Sequence, residues 1–117
     1  MVLKIAARGA LKLGLLTLGL ILLTTPQLQA KTESAAASIE RGRALFASLP
    51  CGSCHTLSDA GTTGQVGPML DGDANLSEAL IISRITNGQG AMPGFSDQLS
   101  EQDIADLAAY LMHVAAK

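Results

Sequence analysis

Residues 51–55 read Cys-Gly-Ser-Cys-His, two thiols and an imidazole at a spacing that suits one kind of chemistry. Cys51 and Cys54 can each add across a vinyl group of haem to form a thioether, and His55 is then held beneath the iron as a ligand. These are the only two cysteines among the 117 residues, so neither has another cysteine to pair with. The motif therefore predicts one covalently attached haem c, with His55 as an axial iron ligand.

Three other uses of a cysteine pair fit the sequence less well. A thioredoxin-type redox pair needs a preceding strand in a βαβ unit, and no strand-like alternation precedes Cys51. A structural zinc site needs four ligands, whereas the other histidine, His113, lies far along the chain. A disulfide across two intervening residues would be strained and would close almost no loop. Haem attachment remains the favoured interpretation.

The motif must be positioned by the segments on either side, and a helix is predicted directly before it, over residues 38–49. Apolar and small residues recur there at three- and four-residue spacing, which places them on one helical face. They are Ile39, Gly42, Leu45, Phe46 and Leu49. Pro50 ends the helix one residue before the motif. Residues 31–37 are small and polar, and they are predicted to form a flexible lead-in.

Two further helices are predicted, each after a loop rich in glycine and proline. The first loop, 56–72, has neither helical periodicity nor strand alternation. The next helix begins near Asn75 or Ser77 and ends at Asn87-Gly88. The second loop, 88–94, follows it.

The last helix is predicted to begin at Ser100, which with Asp103 has the spacing of a capping box. Its predicted apolar face consists of Ile104, Leu107, Ala108, Leu111 and Met112. The sequence thus predicts an all-α domain over residues 38–117, with three main helices and no convincing strand.

The first 30 residues have the pattern of a secretory signal peptide. Lys4, Arg8 and Lys12 precede an apolar stretch at 13–23, and Ala30 ends a plausible cleavage site. The apolar stretch is shorter than the roughly 20 residues of a membrane span. The prediction is export to the periplasm or to the outside, with a membrane anchor as the alternative if the signal is not cleaved.

The charge of the predicted mature part bears on its partners. All ten acidic residues but only five of the eight basic ones follow residue 30, so this part has a formal charge of −5. Such a charge argues against nucleic acid and anionic membrane surfaces, and it favours partners with a basic docking patch. No stable membrane insertion is expected after signal cleavage. The mature part has three aromatic residues, so a covalent haem would complete its small core.

Taken together, these features resemble the class I c-type cytochromes, in particular the small soluble monohaem proteins of bacteria and photosynthetic organisms. The resemblance covers nearly all of residues 38–115. It includes Gly42 and Phe46 on the first helix and Leu107 and Tyr110 on the last, two helices that cross at near right angles in the family. It implies a small cytochrome c fold, in which three main helices wrap around one covalently attached haem.

The resemblance also implies roles for two loop residues. In the family, the carbonyl of the proline in Val66-Gly67-Pro68-Met69-Leu70 accepts the N–H of the proximal histidine. In the loop that resembles Gly88 to Phe95, the methionine before a proline ligates iron from the other side. Pro68 is therefore the expected partner of His55, and Met92 the expected second ligand.

The remaining candidates are expected to have other roles. Met69 would lie on the wrong face of the haem, Met112 is expected to fill the core, and His113 to face solvent. Arg84 is the one basic residue between Arg43 and Lys117. It is expected to be a surface residue or a partner of a haem propionate.

With His55 and Met92 both bound, the iron would have no open position, so the resemblance implies one-electron transfer rather than catalysis at the iron. The alternative is a dedicated subunit of an oxidoreductase complex, such as a sulfite, alcohol or thiosulfate-oxidising dehydrogenase. A gas-binding or peroxidatic haem protein is disfavoured by Met92. A four-helix c cytochrome is disfavoured because its haem motif lies near the C-terminus.

Overall fold

A computed structural model of the chain describes the backbone of residues 26–115 and the side chains of residues 34–115. Most of the predicted signal segment, 1–30, lies outside the described residues. The elements are α1 (Pro26–Ser48), a one-turn helix α2 (Cys51–Cys54), β1 (Thr56–Leu57), a 3-10 helix (Ser58–Ala60), β2 (Thr62–Thr63), α3 (Glu78–Asn87) and α4 (Glu101–Val114). Within residues 26–115, none of the helices combines the length and apolar character that a membrane span requires.

The three main helices predicted from the sequence are α1, α3 and α4, and α1 is longer than expected. Residues 31–37 lie inside this helix rather than forming a flexible lead-in. The segment contains Ala35, Ala36 and Ala37, and alanine has the highest intrinsic helix propensity. Pro26 stands at the first helical position, where its missing N–H costs no hydrogen bond.

A small antiparallel ladder, absent from the prediction, follows the cysteine pair. Thr56 pairs with Thr63 and Leu57 pairs with Thr62. The Thr62 hydroxyl donates to the carbonyl of His55 at 2.9 Å and accepts the N–H of Leu57 at 3.1 Å. Two-residue strands are too short to produce an alternating pattern, which explains why they were not predicted.

The core lies where α1 crosses α4, and Gly42 sits at the crossing point. A side chain at Gly42 would overlap the backbone carbonyl of Asp106 and come within 2.7 Å of Tyr110 Cβ. Phe46, one turn further along α1, packs edge-to-face on Tyr110 with ring centroids 5.9 Å apart. The two helices therefore approach closely because position 42 carries no Cβ.

Helices α3 and α4 each begin at a serine cap, of which the one at Ser100 was predicted from the sequence. The Ser77 hydroxyl accepts the N–H of Leu80 at 3.3 Å, and α3 ends at Gly88. At Ser100 the capping box is complete, since its hydroxyl accepts the N–H of Asp103 at 3.1 Å while Asp103 Oδ2 accepts the N–H of Ser100 at 3.0 Å. The Ser100 hydroxyl also donates to Asp103 Oδ2 at 2.6 Å, and this bond, followed by the one from the Ser100 N–H, lowers the pKa of Asp103.

One residue of the predicted α4 face is wrong. Ile104, Leu107, Ala108 and Leu111 are buried, but Met112 is 39% exposed. The buried arc extends instead to Asp106, Tyr110 and Val114. The buried face of α4 therefore extends further than predicted on the side that packs against α1. Met112 lies at the other edge of this face, where the helix is exposed to solvent.

Asp106 is a charged residue that is only 1% exposed. Its carboxylate accepts hydrogen bonds from Arg41 Nε at 2.6 Å, from Gln102 Nε2 at 2.9 Å and from the Ser38 hydroxyl. The bonds from Arg41 and Ser38 tie α4 to α1, whereas the bond from Gln102 lies within α4. The hydrogen bond from Arg41 is the main reason that the pKa of Asp106 is lowered.

A second polar cluster joins α4 to the 3-10 helix. The fully buried Tyr110 donates its hydroxyl hydrogen to Asp59 Oδ2 at 2.7 Å, and Arg43 pairs with the same carboxylate. The Arg43 guanidinium also lies 4.9 Å from the centre of the Tyr110 ring, in cation–π geometry. Burial is the main reason that the pKa of Tyr110 is raised.

Candidate functional site

A cavity of about 570 Å³, open to solvent on one side, is lined by residues of α1, α2, α3, α4 and the two glycine-rich loops. All five predicted site residues line it, namely Cys51, Cys54, His55, Pro68 and Met92. Its volume falls within the roughly 300–1,000 Å³ typical of ligand and cofactor pockets. The fold thus gathers residues from three separate segments around one space.

The walls of the cavity are mainly apolar. The aliphatic and aromatic residues that line it are Phe46, Leu49, Val66, Leu70, Leu76, Leu80, Ile81, Ile85, Ala91, Phe95, Leu99, Leu107 and Leu111. Among the lining residues, Asp73 and Arg84 carry formal charge. A large flat apolar group with few charges fits this lining, and the thiol, imidazole and thioether groups suit a covalently attached haem.

Helix α2 presents the two cysteines, and its end presents His55. The N–H of His55 closes the turn on the carbonyl of Cys51 at 2.9 Å, after which the backbone becomes extended. Cys51 and Cys54 are half-buried free thiols, and burial raises the pKa of Cys51. Within residues 34–115, no cluster of three or more His, Cys, Asp or Glu side chains could hold a metal ion.

The imidazole of His55 is oriented by a backbone carbonyl. Its Nδ1 atom lies 2.8 Å from the carbonyl oxygen of Pro68. Because a carbonyl accepts but does not donate, Nδ1 carries the hydrogen in this bond. The other nitrogen, Nε2, then keeps its lone pair, which is the form of imidazole that binds a metal.

Gly67 lets the loop lie directly against this ring. Its N–H donates to the carbonyl of Cys54 at 2.8 Å. A Cβ at this position would lie 2.5 Å from Cε1 and 2.8 Å from Nδ1 of His55. Gly67 lies in the Val66 to Leu70 motif, but no periodicity or composition in the sequence indicates such a close approach to His55.

Met92, in the second glycine-rich loop, is fixed by a short turn. Its N–H donates to the carbonyl of Gln89 at 3.0 Å, and its carbonyl accepts the N–H of Gln89 at 2.9 Å. Three residues later, the N–H of Phe95 donates to the carbonyl of Ile85 at 2.8 Å, which anchors the loop to α3. Met92 is half-buried and packs against the core.

The other residues considered from the sequence lie elsewhere. Met69 is 60% exposed, and Met112 and His113 are exposed on α4. None of the three lines the cavity. Of the methionines in the described part of the chain, Met92 is the one that does.

The sequence matches a known protein family and several of its relatives. Residues 37–111 match the family described as cytochrome C oxidase, cbb3-type, subunit III. Cytochrome c6 of Synechocystis is 40% identical over 89 residues, a match covering 70% of each chain. Cytochrome c6 of Picosynechococcus is 36% identical over 91 residues, covering 68% of this chain and 76% of the relative.

A solved structure is similar in both fold and sequence. The c-type cytochrome SorU from Sinorhizobium meliloti superposes with a TM-score of 0.64 at 34% identity. The match covers 70% of this chain and 95% of that one. The family match over residues 37–111 spans all the residues predicted to form the site.

Proposed function

Because the chain belongs to the cytochrome c family, as a small class I c-type cytochrome, it transfers electrons by means of a covalently bound haem c, and we propose that His55 and Met92 are the axial ligands of the iron. Cys51 and Cys54 are the proposed thioether anchors. The observation that carries the proposal is the hydrogen-bonding distance of 2.8 Å between His55 Nδ1 and the Pro68 carbonyl. That bond leaves Nε2 of an imidazole lining the cavity free to bind iron.

When bound, the haem supplies a one-electron redox couple, and the residues of the chain set its surroundings. His55 is held by Pro68, and Met92 by its turn with Gln89, so neither ligand has to be reorganised during electron transfer. A thioether ligand and an apolar wall both favour the reduced form. With two protein ligands no position is left for a substrate, which agrees with an electron carrier rather than an enzyme.

The partners of this cytochrome are redox proteins. We further propose that these partners present a basic docking patch, because the chain after residue 30 has a formal charge of −5. The comparisons with cytochrome c6 do not favour the alternative of a dedicated oxidoreductase subunit. Export, with cleavage after Ala30, is proposed from the basic and apolar pattern of residues 1–30.

Met92→Ala in the haem-loaded protein tests the ligand assignment. The methionine-to-iron charge-transfer absorption of the oxidised protein is expected to disappear, because the variant has no sulfur at this position. Covalent haem should be retained, since Cys51 and Cys54 are unchanged.

Two methionine variants serve as matched controls. Met69→Ala and Met112→Leu remove methionines that do not line the cavity, so the absorption should be unchanged in both. If the charge-transfer absorption survives Met92→Ala, or is lost in a control instead, Met92 is not the ligand.

A further inference from the structure

Hydrogen bonds hold His55 at its backbone as well as at its ring. Its N–H donates to the carbonyl of Cys51 at 2.9 Å, and its carbonyl accepts the hydroxyl hydrogen of Thr62 at 2.9 Å. The contact between Nδ1 and the Pro68 carbonyl holds the ring. Thr62 lies on β2, seven residues after His55, and does not line the cavity. Its contact with the proposed iron ligand is therefore made through the backbone alone.

The Thr62 hydroxyl connects His55 to a buried residue. A hydroxyl has one hydrogen to donate, and the His55 carbonyl at 2.9 Å is nearer to Thr62 Oγ1 than the Leu57 carbonyl at 3.5 Å. The same oxygen accepts the N–H of Leu57 at 3.1 Å. Leu57 is completely buried and pairs with Thr62 in the β1–β2 ladder. The backbone of His55 is thus tied to a point that the core keeps in place.

The segment that begins at Thr62 also packs against α2. A Cβ at Gly52 would lie 2.3 Å from the Thr62 methyl carbon, and a Cβ at Gly64 would lie 2.6 Å from the carbonyl carbon of Cys54. The same segment reaches the ring of His55 through Pro68. One stretch of loop, 62–68, therefore holds both the backbone and the ring of the histidine.

We propose that Thr62 is a positioning residue for the iron ligand, whose hydroxyl fixes the backbone of His55 and thereby aligns the imidazole with the carbonyl of Pro68. The inference rests on the proposed function, because it takes His55 as an iron ligand. The imidazole is joined to its backbone through Cβ, so a shift of that backbone displaces Nδ1 from the carbonyl. Hydrogen bonds weaken steeply as their distance and angle depart from the optimum. The Thr62 hydroxyl therefore strengthens the bond between His55 and Pro68 without touching the ring.

This alignment has a consequence for the redox couple. A hydrogen bond donated from Nδ1 makes Nε2 a more basic ligand, and hydrogen bonding around the ligands is one of the means by which a protein tunes a haem potential. A more basic ligand favours the oxidised, more positive iron. Loss of the Thr62 hydroxyl should weaken the bond to Pro68 and so favour the reduced form.

The test compares the haem-loaded wild type with Thr62→Val, Thr62→Ser and a control, Thr63→Val. Valine has nearly the shape of threonine without the hydroxyl, whereas serine keeps the hydroxyl without the methyl group. Thr63 is the next residue of β2, is exposed and does not line the cavity. At a fixed potential, Thr62→Val should raise the ratio of reduced to oxidised protein several-fold. In NMR spectra of the reduced protein, the His55 Nδ1 hydrogen of this variant should exchange with solvent several-fold faster than in wild type.

The two Thr62 variants separate the hydroxyl from the packing. Thr62→Ser loses the methyl contact with Gly52, so its midpoint of denaturant unfolding should fall. Its redox ratio and its exchange rate should nevertheless remain close to those of wild type and of Thr63→Val. The role of Thr62 is overturned if either quantity in Thr62→Val equals the wild-type value, or if Thr62→Ser changes both as much as Thr62→Val does.

The same samples separate this inference from the proposed function. Covalent haem and the methionine charge-transfer absorption should be present in all four proteins. If they are present and Thr62→Val has no effect, the role of Thr62 alone is wrong. If they are absent from the wild type as well, the assignment of haem to this cavity fails, and the role of Thr62 fails with it.

Discussion

His55 Nδ1 lies 2.8 Å from the carbonyl oxygen of Pro68, and this contact couples the loop after the cysteine pair to the orientation of the imidazole. A proline carbonyl keeps both lone pairs while the ring restricts the backbone, so the acceptor is held in place. Gly67, directly before Pro68, lies so close to the imidazole that a Cβ there would overlap it. The orientation of the ring is therefore set by backbone atoms, and substitutions in this loop should act on the haem site through position rather than through side-chain chemistry.

Gly67→Ala should disturb the site, because the added Cβ would lie 2.5 Å from His55 Cε1. Either the loop or the ring must move, and overpacking of this kind costs about 1–3 kcal/mol. We expect less covalent haem per polypeptide and a lower midpoint of denaturant unfolding. Gln65→Ala, two residues earlier and exposed, is the control. Equal haem content in Gly67→Ala and wild type would show that the loop accommodates the methyl group.

Gly42→Ala should weaken the crossing of α1 and α4. The new Cβ would overlap the carbonyl of Asp106 and crowd Tyr110, and neither can move without shifting α4. We expect a loss of about 1–3 kcal/mol in the free energy of unfolding. Ala47→Ser, at an exposed position of α1, should stay within about 0.5 kcal/mol of wild type. If Gly42→Ala is as stable as this control, α1 and α4 can move apart to accommodate the methyl group at no cost in stability, and the prediction is wrong.

Asp106→Asn should reduce stability at neutral pH and make stability less sensitive to acid. The pKa of Asp106 is lowered in the folded protein, chiefly by the hydrogen bond from Arg41. The ionised carboxylate of Asp106 therefore stabilises the folded protein fully above its pKa in the unfolded chain, about 3.9. This stabilisation is lost as the pH falls through the lower pKa of Asp106 in the folded protein. We expect the free energy of unfolding of Asp106→Asn to be lower than that of the wild type by about 1–3 kcal/mol at pH 7. The difference from wild type should shrink steadily below about pH 4.

The measurement is the free energy of unfolding of both proteins from neutral to acidic pH. The pKa of Asp103 is lowered in both proteins mainly by its hydrogen bonds to Ser100, so the difference between the proteins reports chiefly on Asp106. Asp97→Asn, at an exposed position, should parallel the wild type. A difference for Asp106→Asn that stays constant as the pH falls would contradict the role assigned to its charge.

Electron transfer with a basic partner should slow as salt is added. The acidic chain after residue 30 steers a positive surface towards it, and screening shortens the reach of that attraction to about 10 Å at 0.1 M ionic strength. Stopped-flow reduction by a basic redox protein at several ionic strengths measures the effect, and a neutral small-molecule reductant is the control. A rate that is flat or rises with salt would favour a dedicated subunit held by an apolar interface.

Local sequence determined those features that depend on neighbours in the chain. The haem motif is five consecutive residues, and the capping box at Ser100 needs only Asp103 three residues later. The glycine stop after α3 follows from the conformation of a single residue. Helical periodicity also located most of the buried face of α4. Each of these follows from backbone geometry or from side chains within one turn.

Tertiary structure decided which atoms meet across the chain. The spacing of apolar residues shows that α4 has a buried face, but not that α1 covers one edge of it, so Asp106 and Tyr110 are buried while Met112 is exposed. Similarly, no pattern in the sequence places Gly67 against the His55 ring, or Arg84 in the lining of the same cavity as Met92. The hydrogen bond between His55 and Pro68 joins residues 13 positions apart, and the bond between Ser38 and Asp106 joins residues 68 positions apart. The geometry of such contacts is set only when the helices pack, because local propensities carry no information about the direction of approach.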